Sequence, residues 1–183
     1  MQNDTFVTST MTMEYAHTMS LWEYEGIYSF YDHNENNINE YMDGTYFTCT
    51  DVTGKLIGYY CFGENARIPT QENYIFDNDY LDIGLGMRPD MCGKKNGLSF
   101  FQNGLNFAQE FYNKTQFRLS VAAFNKRAIK VYLKAGFYIE CEVTNSYYNN
   151  KFFVMKNVCC NNFVNHPNLK SNFLISSYPI LQG

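Results

Sequence analysis

The chain has 183 residues, 45% of them hydrophobic and 17% charged, which suits one folded domain and excludes a disordered or fibrous chain. Its formal charge of −4 leaves no basic face for a nucleic-acid backbone, and no run approaches the ~20 apolar residues of a membrane span. Residues 1–20 lack the basic and apolar regions of a signal peptide, the six cysteines include no Cys-x-x-Cys pair and the three histidines are scattered, so a cytoplasmic protein with reduced thiols and no metal is expected.

Residues 5–13 alternate loosely and are rich in Thr, Val and Phe, which predicts a first strand. Residues 14–25 predict a helix carrying Tyr15, Met19 and Trp22 at spacings of four and three. An aromatic group, Trp22, Tyr24, Tyr28, Phe30 and Tyr31, surrounds its end and is interrupted by Gly26; residues 32–39 then turn polar, as a loop or the start of a short second helix. Two β-rich runs, 45–51 and 55–63, joined by Asp51-Val52-Thr53-Gly54, predict a hairpin.

A polar loop over 64–78 leads into a strand at 80–87, where Leu81, Ile83, Leu85 and Met87 alternate with Asp82, Gly84 and Gly86, so that one side is nearly stripped of side chains. Arg88-Pro89 ends it. Loop 90–96 runs into a helix over 97–113 with Leu98, Phe101, Leu105, Phe107, Ala108 and Phe111 at mostly helical spacing. A strand at 117–122 precedes a helix over 125–135, with Asn125 at its start and Gly136 past its end. Runs 137–143 and 152–155 predict a last hairpin across the turn 144–150. The alternation predicts an α/β fold, a mixed central sheet flanked by helices in a single domain over 1–157. Residues 158–183 form an Asn-rich extension, left open between covering a sheet edge, pairing with a second subunit as a homodimer, and neither.

Two segments carry chemistry. In 81–101 a strand ends, a glycine-bearing loop follows and a helix begins, a place where backbone amides bind phosphate oxygens; it is neither a Walker loop nor a dinucleotide fingerprint. In 121–137, Asn125, Ala128 and Tyr132 share one helix face, with a small residue between two polar ones. Read singly, Asn125 is a helix cap and Tyr132 a buried ring.

Together, and in this order, the segments resemble the GNAT superfamily of N-acetyltransferases over roughly residues 55–155. In that family a Gln/Arg-x-x-Gly-x-Gly/Ala loop binds the coenzyme pyrophosphate. The aligned residues here are Cys92-Gly93-Lys94-Lys95-Asn96-Gly97, in which Gly97 matches, Cys92 replaces a basic or amide residue and Lys95 replaces a glycine. The family's Asn-x-x-Ala-x-x-x-Tyr-x-x-x-Gly-Phe is met at Asn125, Ala128, Tyr132, Gly136 and Phe137. The resemblance implies acetyl-CoA as co-substrate and direct acetyl transfer to a primary amine on a small molecule or peptide. It implies that the main chain of Leu85, Gly86 and Met87 holds the acetyl and pantetheine part. Gly93, Lys94, Lys95, Asn96, Gly97 and Leu98 would hold the pyrophosphate and Asn125 the coenzyme arm, while Tyr132 would protonate the departing thiolate.

The base is open. Ser120 stands where some family members carry Glu, and Asp82, Glu23, Glu25 and a water chain are the alternatives. Trp22, Tyr24, Tyr28 and Tyr31 form a candidate wall for the acceptor. A rival reading, motivated by Cys92, Lys95 and Ser120, is a GNAT-fold CoA-binding or regulatory module that transfers nothing.

Overall fold

Among the described residues seven runs form strands: β1 (Val7–Thr10), β2 (Tyr46–Thr50), β3 (Leu56–Phe62), β4 (Leu81–Met87), β5 (Phe117–Ala122), β6 (Phe137–Thr144) and β7 (Lys151–Asn157). They form one sheet in the order β1-β2-β3-β4-β5-β7-β6, antiparallel at every junction except β4–β5. The structure is a computed structural model that describes residues 6–32 and 38–157. The extension expected at 158–183 and part of the polar stretch after Asp32 lie outside the described residues.

The local signals act as their chemistry requires. In the β2–β3 turn, Asp51 Oδ1 accepts from the Thr53 and Lys55 amides and Gly54 takes a left-handed φ of +85°. In the β6–β7 turn, Asn145 Oδ1 accepts from the Tyr147 and Tyr148 amides.

Among the described residues four α-helices flank the sheet: α1 (Met13–Ser20), the single turn α2 (Ile38–Tyr41), α3 (Gly97–Tyr112) and α4 (Lys126–Lys134). Helices α3 and α4 bury Phe100, Phe101, Leu105, Ala108, Ile129 and Tyr132 against one face. Ala16 and Met19 of α1 pack with Trp22, Tyr41, Tyr46 and Leu56 on the other. Covered on both sides, β3 has every residue buried except Tyr59, as expected for a central strand. Gly104 of α3 lets the Tyr60 ring lie against the helix, since a Cβ there would meet the ring at 2.6 Å.

Three expectations are corrected. The first helix ends at Ser20, not near 25: Trp22 leaves the helical path to bury its ring beside Tyr59, and a 3-10 segment (Gly26–Tyr31) starts at Gly26, with φ +60°. Leu98 and Phe111 of α3 face outward, 39% and 61% exposed. The inward face is set by what opposes it, and Phe100 and Gly104 take those places. The side of β4 without side chains is not bare either, because the Tyr59 ring lies over Gly86 so closely that a Cβ would meet it at 2.3 Å.

Candidate active site

Strands β4 and β5 pair only at their beginnings, Leu81 with Phe117 and Asp82 with Arg118. Beyond that junction they part, each keeping its outer neighbour, β3 or β7. Backbone groups along the inner edges of 83–87 and 119–122 therefore face each other without a ladder, and buried peptide groups in that state require other partners. Between them lies a cavity of about 730 Å³ lined from both faces of the sheet.

A buried ion pair clamps the vertex of this opening. Arg118 Nε and Nη2 donate to Asp82 Oδ1 and Oδ2 at 2.6 and 2.9 Å, and Arg67 Nε donates to Asp82 Oδ2 at 2.8 Å. Arg118 is fully buried, Asp82 is 2% exposed, and the Phe76 ring lies 4.9 Å from the guanidinium. Both Asp82 oxygens are thus engaged by arginines, and Asp82 stands outside the cavity lining. Glu23 and Glu25 are exposed and outside the cavity lining.

One end of the cavity is the loop after β4. The Arg88 amide donates to Ile57 O, a short 3-10 turn (Pro89–Met91) follows, and Gly93 and Lys95 both take left-handed backbone, φ +77° and +68°. Asn96 offers α3 no side-chain cap, so the first-turn amides of α3 keep their positive end free of a side-chain acceptor. Gly93, Lys95 and Gly97 line the cavity; Lys94, Asn96 and Leu98 stand outside the lining. Burial holds the Cys92 thiol above its ordinary pKa, with Arg127 opposing, and its Sγ lies 3.5 Å from Met87 O.

Lys95 occupies a conformation that costs a side-chain-bearing residue ~1–2 kcal/mol, whereas glycine adds ~0.5–1 kcal/mol of unfolded-chain entropy. Lys95→Gly is therefore expected to stabilise the fold by ~0.5–1 kcal/mol net. Thermal denaturation would show this as a rise of roughly 1–4 °C; a fall would mean that the Lys95 side chain contributes more than its backbone costs.

Helix α4 supplies one wall. Asn125 Oδ1 accepts from the Ala128 amide at 3.2 Å, which makes it the cap, while its Nδ2 donates to the Tyr31 hydroxyl at 3.4 Å. Ala128, Val131 and Tyr132 follow along the lining. The Tyr132 ring packs on Phe101 at 4.8 Å, and burial, reinforced by Tyr31, pushes its pKa well above the usual value. Leu85, Gly86 and Met87 of β4 line the cavity as expected.

The opposite wall is aromatic: Tyr24, Tyr28, Phe30, Tyr31, Tyr59 and Tyr148. Tyr24 donates to Met87 O at 2.9 Å, and the Asn125 amide donates to the Tyr31 hydroxyl. Burial raises the pKa of Tyr24 and Tyr31, so both stay neutral. Of the expected wall residues, Tyr24, Tyr28 and Tyr31 are present and Trp22 is not, its ring lying in the core beneath. Sequence reasoning missed Asp32, Arg127 and Tyr148. Arg127 lies 3.8 Å from the Tyr28 ring centre and Phe30 packs on Tyr148 at 5.0 Å. Only Arg127 had a sequence signal, two residues after Asn125.

No family model matches the sequence, and no curated protein matches it. Solved structures match the fold. A GNAT-family acetyltransferase from Bacillus anthracis superposes with a TM-score of 0.64 at 12% identity, covering 84% of this chain and 94% of its own. Spermidine N-acetyltransferase from Vibrio cholerae, in complex with CoA and spermine, gives 0.59 at 16% identity, covering 84% and 95%. The fold, seven mixed strands flanked by helices, is that of the GNAT acetyltransferases. Among the described residues no helix is long and apolar enough to cross a membrane, and no group of three His, Cys, Asp or Glu is placed to hold a metal.

Proposed function

We propose that the protein is an acetyl-CoA-dependent N-acetyltransferase acting on a primary amine of a small molecule or peptide. The observation that carries this reading is the cavity at the β4–β5 split, which joins three parts: an open strand edge, a helix start without a side-chain cap, and a buried tyrosine. Acetyl-CoA fits them in kind. Main-chain groups of Leu85, Gly86 and Met87 would bond the pantetheine amides as a missing strand would. The loop from Gly93 to Leu98 would take the pyrophosphate, Lys95 adding charge from the lining and Lys94 from outside it. Asn125 would exchange its long bond to Tyr31 for the coenzyme arm.

The coenzyme supplies an acetyl thioester; the chain supplies placement and protons. The acceptor must reach the carbonyl as a neutral amine, so its ammonium proton leaves first. No lining carboxylate other than Asp32 is found among the described residues, and a water chain from the open end serves as well. Tyr132 donates its hydroxyl proton toward the sulfur as the thioester bond breaks. Its raised pKa suits that role, because the cavity that disfavours the phenolate disfavours a bare thiolate too. The protein would work in the cytoplasm, where its thiols stay reduced.

The rival, a CoA-binding module that transfers nothing, draws on Ser120 and the strained Lys95. Calorimetric titration with acetyl-CoA, with free-thiol detection over an amine panel, separates the two. The expected result is micromolar binding and thiol release with at least one amine. Binding with no release by any amine would favour the rival, and no binding would reduce the likeness to one of fold.

A further inference from the structure

The acceptor side of the cavity selects among amines. We infer, building on the acetyltransferase reading, that the acceptor is a monoamine with an aromatic body, held at its ammonium by Asp32 and along its body by the tyrosine wall, and not a polyamine. Among the described residues, the lining from the α1 face of the sheet and the β6–β7 turn includes Tyr24, Tyr28, Tyr31, Tyr59, Phe30 and Tyr148 with one carboxylate, Asp32. A chain of several ammonium groups needs a carboxylate for each when taken from water. Among the described lining residues it would meet one, together with the like charges of Lys95 and Arg127.

An aromatic body meets a surface made for it. Rings pack edge-to-face or offset, and a single cation is attracted to tyrosine faces. Arg127, 3.8 Å from the Tyr28 ring centre, already uses that attraction, and it repels a second cation arriving beside it. The Asp32 side chain is positioned by the backbone of Tyr24: its Oδ1 accepts from the Tyr24 amide at 2.7 Å, and the Tyr24 hydroxyl in turn donates to Met87 O at the end of β4. The carboxylate is thus tied to the strand edge proposed to hold the thioester.

In the step itself the ammonium loses one proton to solvent and its nitrogen forms the C–N bond to the acetyl carbon. The C–S bond breaks, the sulfur takes the Tyr132 proton, and the proton shed by the nitrogen returns to Tyr132. The products are the N-acetyl amine, CoA thiol and one released proton.

The test is kcat/KM, by thiol release with saturating acetyl-CoA, for 2-phenylethylamine, n-butylamine and spermidine. The expectation is at least about a tenfold preference for phenylethylamine over both others. Asp32→Asn, which keeps an oxygen for the Tyr24 amide, should raise the phenylethylamine KM about tenfold or more while leaving acetyl-CoA affinity measured by calorimetry unchanged. Spermidine turnover equal to or above that of phenylethylamine overturns the acceptor assignment and leaves the acetyltransferase reading standing, as does an unchanged KM in Asp32→Asn. Failure of acetyl-CoA to bind removes both.

Discussion

Tyr132→Phe is expected to lower kcat by about 10²- to 10⁴-fold, the range for losing a positioned general acid, while acetyl-CoA binding changes by less than about threefold. The asymmetry follows from the packing. Phenylalanine keeps the ring on Phe101 at 4.8 Å and adds no volume, so the wall shared with Ala128 and Val131 stays in place. Only the hydroxyl is lost, and it acts when negative charge gathers on sulfur. Because burial holds the Tyr132 pKa above its ordinary value near 10, the wild-type rate should show no fall from tyrosine ionisation below about pH 10. Stopped-flow thiol release and calorimetry on both proteins decide the matter. Equal losses in turnover and binding would make Tyr132 a wall residue and leave the acid unassigned.

The second large effect lies at the vertex of the split. Asp82→Ala leaves Arg118, fully buried, without the carboxylate that binds its Nε and Nη2, and Arg67 loses the same partner. Removing one member of a buried pair costs ~3–5 kcal/mol, mostly as an uncompensated charge, which for a chain of this size is a Tm loss of roughly 6–20 °C. Asp77 remains to bond Arg118 Nη1 at 3.1 Å, which argues for the lower half of that range. Adding Arg118→Met should restore part of the loss, since it removes the stranded charge, so the two changes will not add. A Tm within about 2 °C of wild type in Asp82→Ala would show that backbone pairing of two residues holds the junction without the clamp. The measurement also separates structure from catalysis at this carboxylate: a base would give a stable protein with lost turnover.

Much of the frame was legible because its causes are local. Asp51 and Gly54 make their turn from their own dihedral preferences, Asn125 caps α4 from its own first turn, and Gly136 takes the left-handed backbone that ends it. Strand alternation in 81–87 and the shared face of Asn125, Ala128 and Tyr132 are set by the periods of strand and helix, which need no partner to be read. What depended on an opposing surface was not legible. Helical spacing made Trp22, Leu98 and Phe111 look alike, but Trp22 is buried against Tyr59 while the other two face solvent.

Asp82 shows the limit most clearly: beside a candidate phosphate loop a carboxylate reads equally as base or as structure. The choice is made by Arg118, which follows it by 36 residues and becomes its register partner only when β4 and β5 pair in parallel. Asp32, Arg127 and Tyr148 likewise come from three separate parts of the chain and share no spacing. Local patterning was enough for the strands, the two long helices, their turns and the two segments that point to coenzyme chemistry, but not for the end of the first helix. Tertiary structure alone decided where the strands part, which carboxylate is spent on holding them, and what faces the acceptor, because each of these is a contact between residues that local backbone preference cannot bring together.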